Sequence, residues 1–435
     1  MSSPRSLVLD YLEGIQKEGI RLGLERVAGI ARRMGDPQHA CPVIQVAGTN
    51  GKGSVAATIA AVLGASGRRV GFYLSPHIQE VTERIRIDGE AVGYEALLED
   101  LEAVRDAAGG EGVTPTYFEA LTLAAYRRFA EEKVECAVVE VGMGGRLDAT
   151  SIAAARLAVI TEIDKDHTEY LGDSLEAIAR EKVGIVRPGV PTVIGTRKRA
   201  LARTMEHLVS AAGGVPETVA GHCLGRVIAM ELTGQTVELV TPTGLYKDLR
   251  MSLVGHHQME NLLTATRAVE LLAKAGFPIT EGSYREGVAT VRWPGRFEVR
   301  SRDPLVILDG AHNPGGAAAL IRTSRKLFGD GRGIVVLAPL AGKNLMGMLS
   351  MITPWVGKVI LARLAGPRGI DPRAHSTNLG MIRSVDVADT MEAALRVGLE
   401  SLPQGEPLIV TGSLAGLGQA AETLDALLPR EGRYA

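Results

Sequence analysis

Residues 43–54 read VIQVAGTNGKGS, an apolar run rich in β-branched residues that enters a loop containing Gly48, Gly51, Lys52 and Gly53. The alanine-rich segment from Val55 leaves that loop with helical spacing. The order is strand, phosphate loop, helix. Glycines let backbone N–H groups turn towards an anion, the helix N-terminus adds partial positive charge, and Lys52 supplies a full one. A nucleoside triphosphate is the expected guest. The match to the common phosphate loop is imperfect, because Val46 stands where its first glycine belongs and Gly53 separates Lys52 from the Ser54 hydroxyl.

Outward from this loop, further strands end in polar residues. Arg69 to Leu74 ends in Ser75-Pro76-His77, Cys136 to Val141 is interrupted by Glu140, and Leu157 to Ile163 is followed by Asp164-Lys165-Asp166-His167. Ligands of open α/β sheets gather beyond the carboxyl ends of the strands. Ser75, Glu140 and His167 are therefore delivered to one edge, as an oxygen, oxygen and nitrogen set suited to magnesium or manganese. A carboxylate closing a buried strand is costly unless a cation or donor meets it, and a metal-bound triphosphate would meet Glu140.

Other elements frame this unit. Thr116-Tyr117-Phe118-Glu119 opens an amphipathic helix to about Glu132, Asp173 and Glu176 read as a capping pair, and Val227 to Leu253 alternates around Pro242-Thr243-Gly244 as an antiparallel hairpin. Gly255-His256-His257-Gln258 precedes a helix from Glu260 to Ala275, with Asn261 in its first turn. Trp293-Pro294-Gly295-Arg296 breaks periodicity and reads as a junction. The expected organisation is an ATP-binding α/β domain over 1–292, a linker over 293–298 and a smaller α/β domain over 299–435. Strand candidates at Leu305 to Leu308, Gly333 to Ala338, Lys358 to Leu361 and Leu408 to Val410 build the latter, which lacks a phosphate loop and would close over the nucleotide. Its first strand ends in Asp309-Gly310-Ala311-His312-Asn313-Pro314, where Asn313 can cap a helix beginning at Pro314.

Composition sets bounds. A chain of 435 residues should form two or three domains, and 46% hydrophobic with 23% charged residues is ordinary for a soluble globular protein. A net charge of -2 gives no global attraction to nucleic acid or an anionic membrane. Cys41, Cys136 and Cys223 lack the spacing of a disulfide framework or zinc site, and no apolar run suits a signal peptide or membrane span. A monomeric cytoplasmic protein acting on small molecules is expected.

The segments GIRLGLERV, VAGTNGKGS, YLSPH, TYFEALT, EVGMGGRLDAT, DHTEYLGDSLEAIAREKVGI, HHQMEN, WPGRFE, LDGAHNP and VTGSL, in this order, resemble the folylpolyglutamate synthases, often combined with dihydrofolate synthase, of the Mur ligase superfamily. The resemblance implies a P-loop Mur-ligase-like ATP-binding domain joined to a Rossmann-like domain. It implies that Asn50, Gly51, Lys52, Gly53 and Ser54 hold ATP phosphates and that Ser75, Glu140 and His167 ligate magnesium. Lys182 matches a lysine that is carbamylated in related enzymes and helps position a second metal. The residues alone would make Lys182 a solvent-facing helix position. Asn261, Arg296, Asp309 and His312 match residues around ATP or the transferring phosphate, with Lys52, Lys182 and His312 as the catalytic set. Thr116, Phe118, Asp148 and Ala149 match the dihydropteroate pocket.

The implied chemistry answers a simple difficulty, since a carboxylate oxygen is a poor leaving group. Phosphoryl transfer from ATP gives an acyl phosphate, and the amine of L-glutamate displaces phosphate to form an amide, on a folate γ-carboxylate or on dihydropteroate. Two departures from the family pattern lie beside the implied substrate pocket and metal and bear on substrate preference, Ser151 in place of asparagine and Asp164-Lys165 in place of a small apolar pair; a third, Gly342-Lys343-Asn344 in place of an acidic, lysine-containing turn, weakens any role for that turn of the second domain. Another Mur-type ligase, or a nucleotide kinase or triphosphatase, is the competing reading. The short segment before the phosphate loop argues against the first, and polar groups converging from both domains argue against the second.

Overall fold

The computed structural model describes residues 3–166, 168–330, 333–366, 368–375 and 385–428. Its largest sheet has eight strands: β1 (Val43–Ala47), β2 (Val70–Tyr73), β3 (Ile85–Ile87), β4 (Glu90–Ala91), β5 (Cys136–Glu140), β6 (Ala155–Ile160), β7 (Pro191–Ile194) and β8 (Val215–Thr218). Their order is β4-β3-β2-β5-β1-β6-β7-β8, parallel from β2 to β8, with β3 and β4 antiparallel at one edge. β1 is flanked by β5 and β6 and every residue in it is buried, which is why it carries no alternation of apolar and polar side chains. Helices cover both faces. Lys52–Ala65, His256–Lys274 and Glu281–Thr290 share one core, while Pro4–Gln16, Tyr94–Glu111 and Tyr117–Glu131 share the other.

A meander of β9 (Leu224–Glu231), β10 (Gly234–Val240) and β11 (Leu245–Met251) follows, with Val237, Leu239, Leu249 and Met251 turned into the first of these cores. The last sheet contains β12 (Glu298–Arg302), β13 (Leu305–Leu308), β14 (Ile334–Leu337), β15 (Lys358–Ala362), β16 (Val385–Ala388) and β17 (Leu408–Thr411) in the order β12-β13-β17-β14-β15-β16. All are parallel except β12, which pairs antiparallel with β13. Pro314–Phe328 and Leu345–Ile352 pack on one face, Met391–Glu400 and Leu414–Leu427 on the other. The fold is therefore mixed α/β, a phosphate-loop sheet joined to a smaller α/β unit. Among the described residues no helix is long and apolar enough to cross a membrane.

Local expectations are corrected at several points. Ser174 caps the helix Leu175–Val183, its hydroxyl accepting from the Ala177 N–H, so Asp173 and Glu176 are not the capping pair. The hairpin expected from Val227 is a three-stranded meander, because Gly234 permits an additional reversal at a φ of +146°. The helix expected from Glu260 begins at His256, which moves Asn261 into its second turn. Glu83 and Arg84 end a 3-10 turn, Val81–Arg84, that leads directly into β3.

Candidate active site

The loop after β1 is rigidly fixed by its neighbours. Gly48 and Gly51 have φ of +150° and +87°, which disfavour any side chain. A Cβ at Gly48 would overlap the Thr161 hydroxyl, at Gly51 the Asn261 carboxamide and at Gly53 the Trp293 ring. The Thr49 and Asn50 N–H groups donate to the Glu162 carbonyl at 2.9 and 3.2 Å, and the Thr161 hydroxyl donates to the Asn50 carbonyl at 2.8 Å. The helix Lys52–Ala65 has Gly51 as its N-cap, with no side-chain hydrogen bond and no acid in its first turn. Its first N–H groups are thus left for an anion. Ser54, in the same turn, is buried.

Two lysines converge beside this loop. Lys52 Nζ donates to the Gly48 carbonyl at 3.2 Å, and Lys182 Nζ donates to the same oxygen at 2.8 Å. Lys182 is only 3% exposed, so the solvent-facing reading of this helix position is overturned: the Leu175–Val183 helix turns it inward onto the phosphate loop. Burial, and then the nearby Lys52 charge, pull its amine down to about 7, against Asp166 and Asp148. Across from the lysines, Glu140 closes β5 at 4% exposure and among the described residues receives one hydrogen bond, from the Ser75 N–H at 3.3 Å. Burial raises its pKa, with the Lys52 charge the largest opposing influence. A buried carboxylate so sparsely donated to, beside a serine and an anion-binding loop, fits a hard divalent cation. His167, the third expected ligand, lies outside the described residues, and among those described no cluster of three His, Cys, Asp or Glu side chains occurs.

The smaller unit supplies the opposite wall. Asp309 follows β13, where its carboxylate accepts from the Phe297 N–H at 2.9 Å and the Ala311 N–H at 3.0 Å; burial raises its pKa, and Arg296 opposes this. His312 Nδ1 lies 2.9 Å from the Gly310 carbonyl. Since a carbonyl only accepts, Nδ1 carries the proton, and Nε2 faces Asp166 at 3.7 Å. Asp166 also accepts from Lys343 Nζ at 2.9 Å. Asn313 caps the helix Pro314–Phe328 through the Gly316 N–H at 2.8 Å and donates to Asn50 Oδ1 at 3.1 Å, so a second helix N-terminus reaches the phosphate loop.

These residues line one cleft of about 430 Å³, which holds Asn50 to Ser54, Ser75, Glu140, Lys182, Asn261, Arg296, Asp309 and His312 together. Sequence reasoning missed Glu162, His257, Asn313 as a cross-cleft donor, and Lys343. Only the adjacency of Asn313 to His312 could have hinted at one of them. Asn261 donates to Gln258 Oε1 at 3.0 Å, and the neighbouring His257 Nδ1 is buried without a partner among the described residues.

Thr116, Phe118, Asp148 and Ala149 do not line this cleft. Thr116 caps Tyr117–Glu131, Ala149 is buried in the core beneath, and Asp148 accepts from the Met143 N–H at 2.9 Å and from the Thr150 hydroxyl at 2.6 Å. Phe118 abuts Gly142, a cleft residue, so the quartet stands immediately behind that wall. Ser151, one of the departures, is buried and bridges Gln45, whose amide donates to it at 2.9 Å, and the Gly145 carbonyl at 2.7 Å.

Comparison with known proteins places this geometry. Residues 46–269 match the Mur ligase middle domain, and residues 295–414 match the Mur ligase glutamate ligase domain. The chain is 34% identical over 426 residues to the dihydrofolate synthase/folylpolyglutamate synthase of Escherichia coli K12, covering 98% of this chain and 96% of that one. It is 37% identical over 379 residues to the protein of the same name from Mycobacterium tuberculosis, covering 82% and 77%. A solved structure of Escherichia coli FolC with DHPP and ADP superposes with a TM-score of 0.89 at 33% identity, covering 98% of this chain and 99% of that one. A further bifunctional synthase, solved with Mn, AMPPNP and L-glutamate, gives a TM-score of 0.84 at 31% identity over 98% of each chain.

Proposed function

Since this chain belongs to the dihydrofolate synthase/folylpolyglutamate synthase family of the Mur ligases, we propose that its cleft is where acceptor, nucleotide and glutamate are brought together. The protein is an ATP-dependent acid–amino acid ligase that joins L-glutamate to a folate-type acceptor, using ATP and a divalent metal. The observation that carries the reading of the site is the convergence of Lys52, Lys182 and Glu140 from one sheet with Asp309 and His312 from the other around a single phosphate loop.

Asn50, Gly51, Lys52, Gly53 and Ser54 bind the phosphates through N–H groups and the Lys52 charge, while Asn261, Arg296, Asp309 and His312 enclose the nucleotide from the far wall. Ser75, Glu140, His167 and Lys182 hold magnesium or manganese, as two ions, with Lys182 carbamylated. An amine held near 7 supplies the neutral form that carbamylation requires, which supports that assignment. When bound, the metal neutralises charge on the transferring phosphoryl group. Lys52 orients that group towards the acceptor carboxylate, giving an acyl phosphate that the glutamate amine converts to an amide, and approach of the smaller unit excludes water from the acyl phosphate. Thr116, Phe118, Asp148 and Ala149 shape the pterin end of the acceptor pocket. Phe118 contributes a ring face, and Asp148 acts through the 143–150 turn that its carboxylate fixes.

The division into 1–292, a 293–298 linker and 299–435 is supported by the two separate sheets, although β12 begins at Glu298, inside that linker. We read the protein as a cytoplasmic monomer, and its net charge of -2 supports the lack of nucleic acid or anionic membrane partners. The test is magnesium-dependent ADP release with glutamate, using dihydropteroate and tetrahydrofolate separately and weighing the products. Glutamate added to both establishes two synthase activities, and glutamate added to one names a single activity. ADP release without amide formation overturns the ligase reading.

A further inference from the structure

Arg84 ends the turn Val81–Arg84 and is 8% exposed. Its Nε donates to His77 Nδ1 at 2.9 Å, and its guanidinium carbon stands 5.2 Å from the centre of the Tyr117 ring. Among the described residues no carboxylate forms an ion pair with it. The adjacent Glu83 is committed elsewhere, accepting from the N–H groups of Ile78, Gln79 and Glu80 at 2.9, 2.9 and 2.8 Å. His77 cannot offset the charge, because an imidazole that accepts a hydrogen bond through Nδ1 carries no negative charge. Arg86, two residues on, is occupied by the carbonyls of Glu83 and Gly89 at 3.2 and 3.3 Å. Arg84 is therefore a buried cation fixed by a neutral acceptor and a ring face, with its remaining N–H fork uncommitted among the described residues. Such a charge is costly until an anion meets it.

Its position indicates which anion. The Leu74 N–H donates to the Arg84 carbonyl at 3.0 Å, beside Ser75, and the Tyr73 and Phe118 rings are 6.0 Å apart. Held between Tyr117 and His77, the guanidinium thus adjoins the aromatic residues Tyr73, Tyr117 and Phe118 on one side and the Ser75-Pro76-His77 loop, whose Ser75 lines the cleft, on the other. An acceptor whose pterin lies against Phe118, and whose carboxylate must reach the phosphate loop, passes through that interval.

We infer that Arg84 binds the carboxylate end of the acceptor, with His77 and Tyr117 as positioning residues that fix the fork. This rests on the ligase reading, and the experiment separates the two. Pteroate and its analogue lacking the carboxylate are titrated against wild type, Arg84→Lys and Arg84→Met in the presence of ADP, whose own affinity reports an intact nucleotide site. Wild type should prefer pteroate by about tenfold or more, as expected of a charge-assisted pair. Arg84→Met should lose the preference and Arg84→Lys retain part of it. In turnover, KM for dihydropteroate should rise while KM for ATP stays unchanged. Equal weakening of both ligands in Arg84→Met, or an undiminished preference for pteroate, overturns the inference. If Arg84→Met does not fold, Arg84→Gln keeps a donor for His77, removes the charge and gives the same comparison. Failure of wild type to form any amide would instead overturn the ligase reading, whatever the binding preference.

Discussion

At Glu140 a carboxylate 4% exposed receives one long hydrogen bond among the described residues, so without a cation its ionised form is poorly solvated. Glu140→Gln removes that cost. The variant is expected to melt at or slightly above the wild-type temperature without ligand, to lose the additional stabilisation given by manganese with ADP, and to lose turnover on the order of a hundredfold or more. Thermal melts with and without manganese and ADP, alongside ADP release, decide this. The histidines set a different dependence. Burial holds His257 and His77 down to about 4, below the ordinary 6.5, aided by Arg296 and Arg322 at the first and Arg84 at the second. Between these values the unfolded chain binds protons that the folded chain does not, so stability falls as pH drops from 6.5 towards 4. Each histidine contributes at most about 3 kcal/mol to that fall. His257→Gln should flatten the slope, and urea midpoints at pH 4.5 and 7 would reveal whether it does. Little of this residue detail was legible beforehand. Glu140 was, because acid at the end of an apolar run is conspicuous; Lys182 was not, because whether a helix position faces solvent depends on what packs over it.

Elements show where the sequence speaks clearly. Gly53 lies in the first turn of Lys52–Ala65, and a methyl there meets the Trp293 ring. Gly53→Ala should displace Trp293, which also stacks on Phe72 at 5.6 Å, and weaken ADP binding by about tenfold or more through the disturbed N-terminal turn. Calorimetric titration with ADP measures it. Asn313→Ala removes both a helix cap and the hydrogen bond to Asn50, so it should cost about 1 kcal/mol of stability and lower ADP affinity as well. Loss of stability with unchanged ADP affinity would confine Asn313 to capping. The cap itself was readable from Asn313-Pro314, whereas its reach to Asn50, 263 positions away in the chain, was not. The β12 and β16 edge strands escaped notice because short edge strands carry weak periodicity.

Across the whole molecule, the two units meet through an apolar patch, where Val254, Met230 and Leu232 pack against the core of the smaller unit, and through specific contacts beside the cleft. Asn313 bonds Asn50, Lys343 pairs with Asp166, and Gly418 abuts the Ile78 carbonyl in the loop that follows Ser75. Small polar contacts of this kind suit an interface that opens and closes. Small-angle scattering should therefore record a more compact particle with ATP analogue, magnesium and acceptor than without them. Lys343→Ala should shift the free protein towards the extended form and raise KM for ATP. Identical scattering profiles in every state would count against domain closure.

The sequence by itself determined the strand, loop and helix at residues 43–54 and the polar ends of β2 and β5, because backbone periodicity and glycine chemistry are local. The same local signals, read together in order, carried the family resemblance. Only the tertiary structure decided the burial of Lys182, the neutral partner of Arg84 and the contacts from Asn313 and Lys343 to the phosphate-loop unit. Desolvation and electrostatic coupling depend on which surfaces are brought into contact, and that is a property of the packed sheets rather than of neighbouring residues.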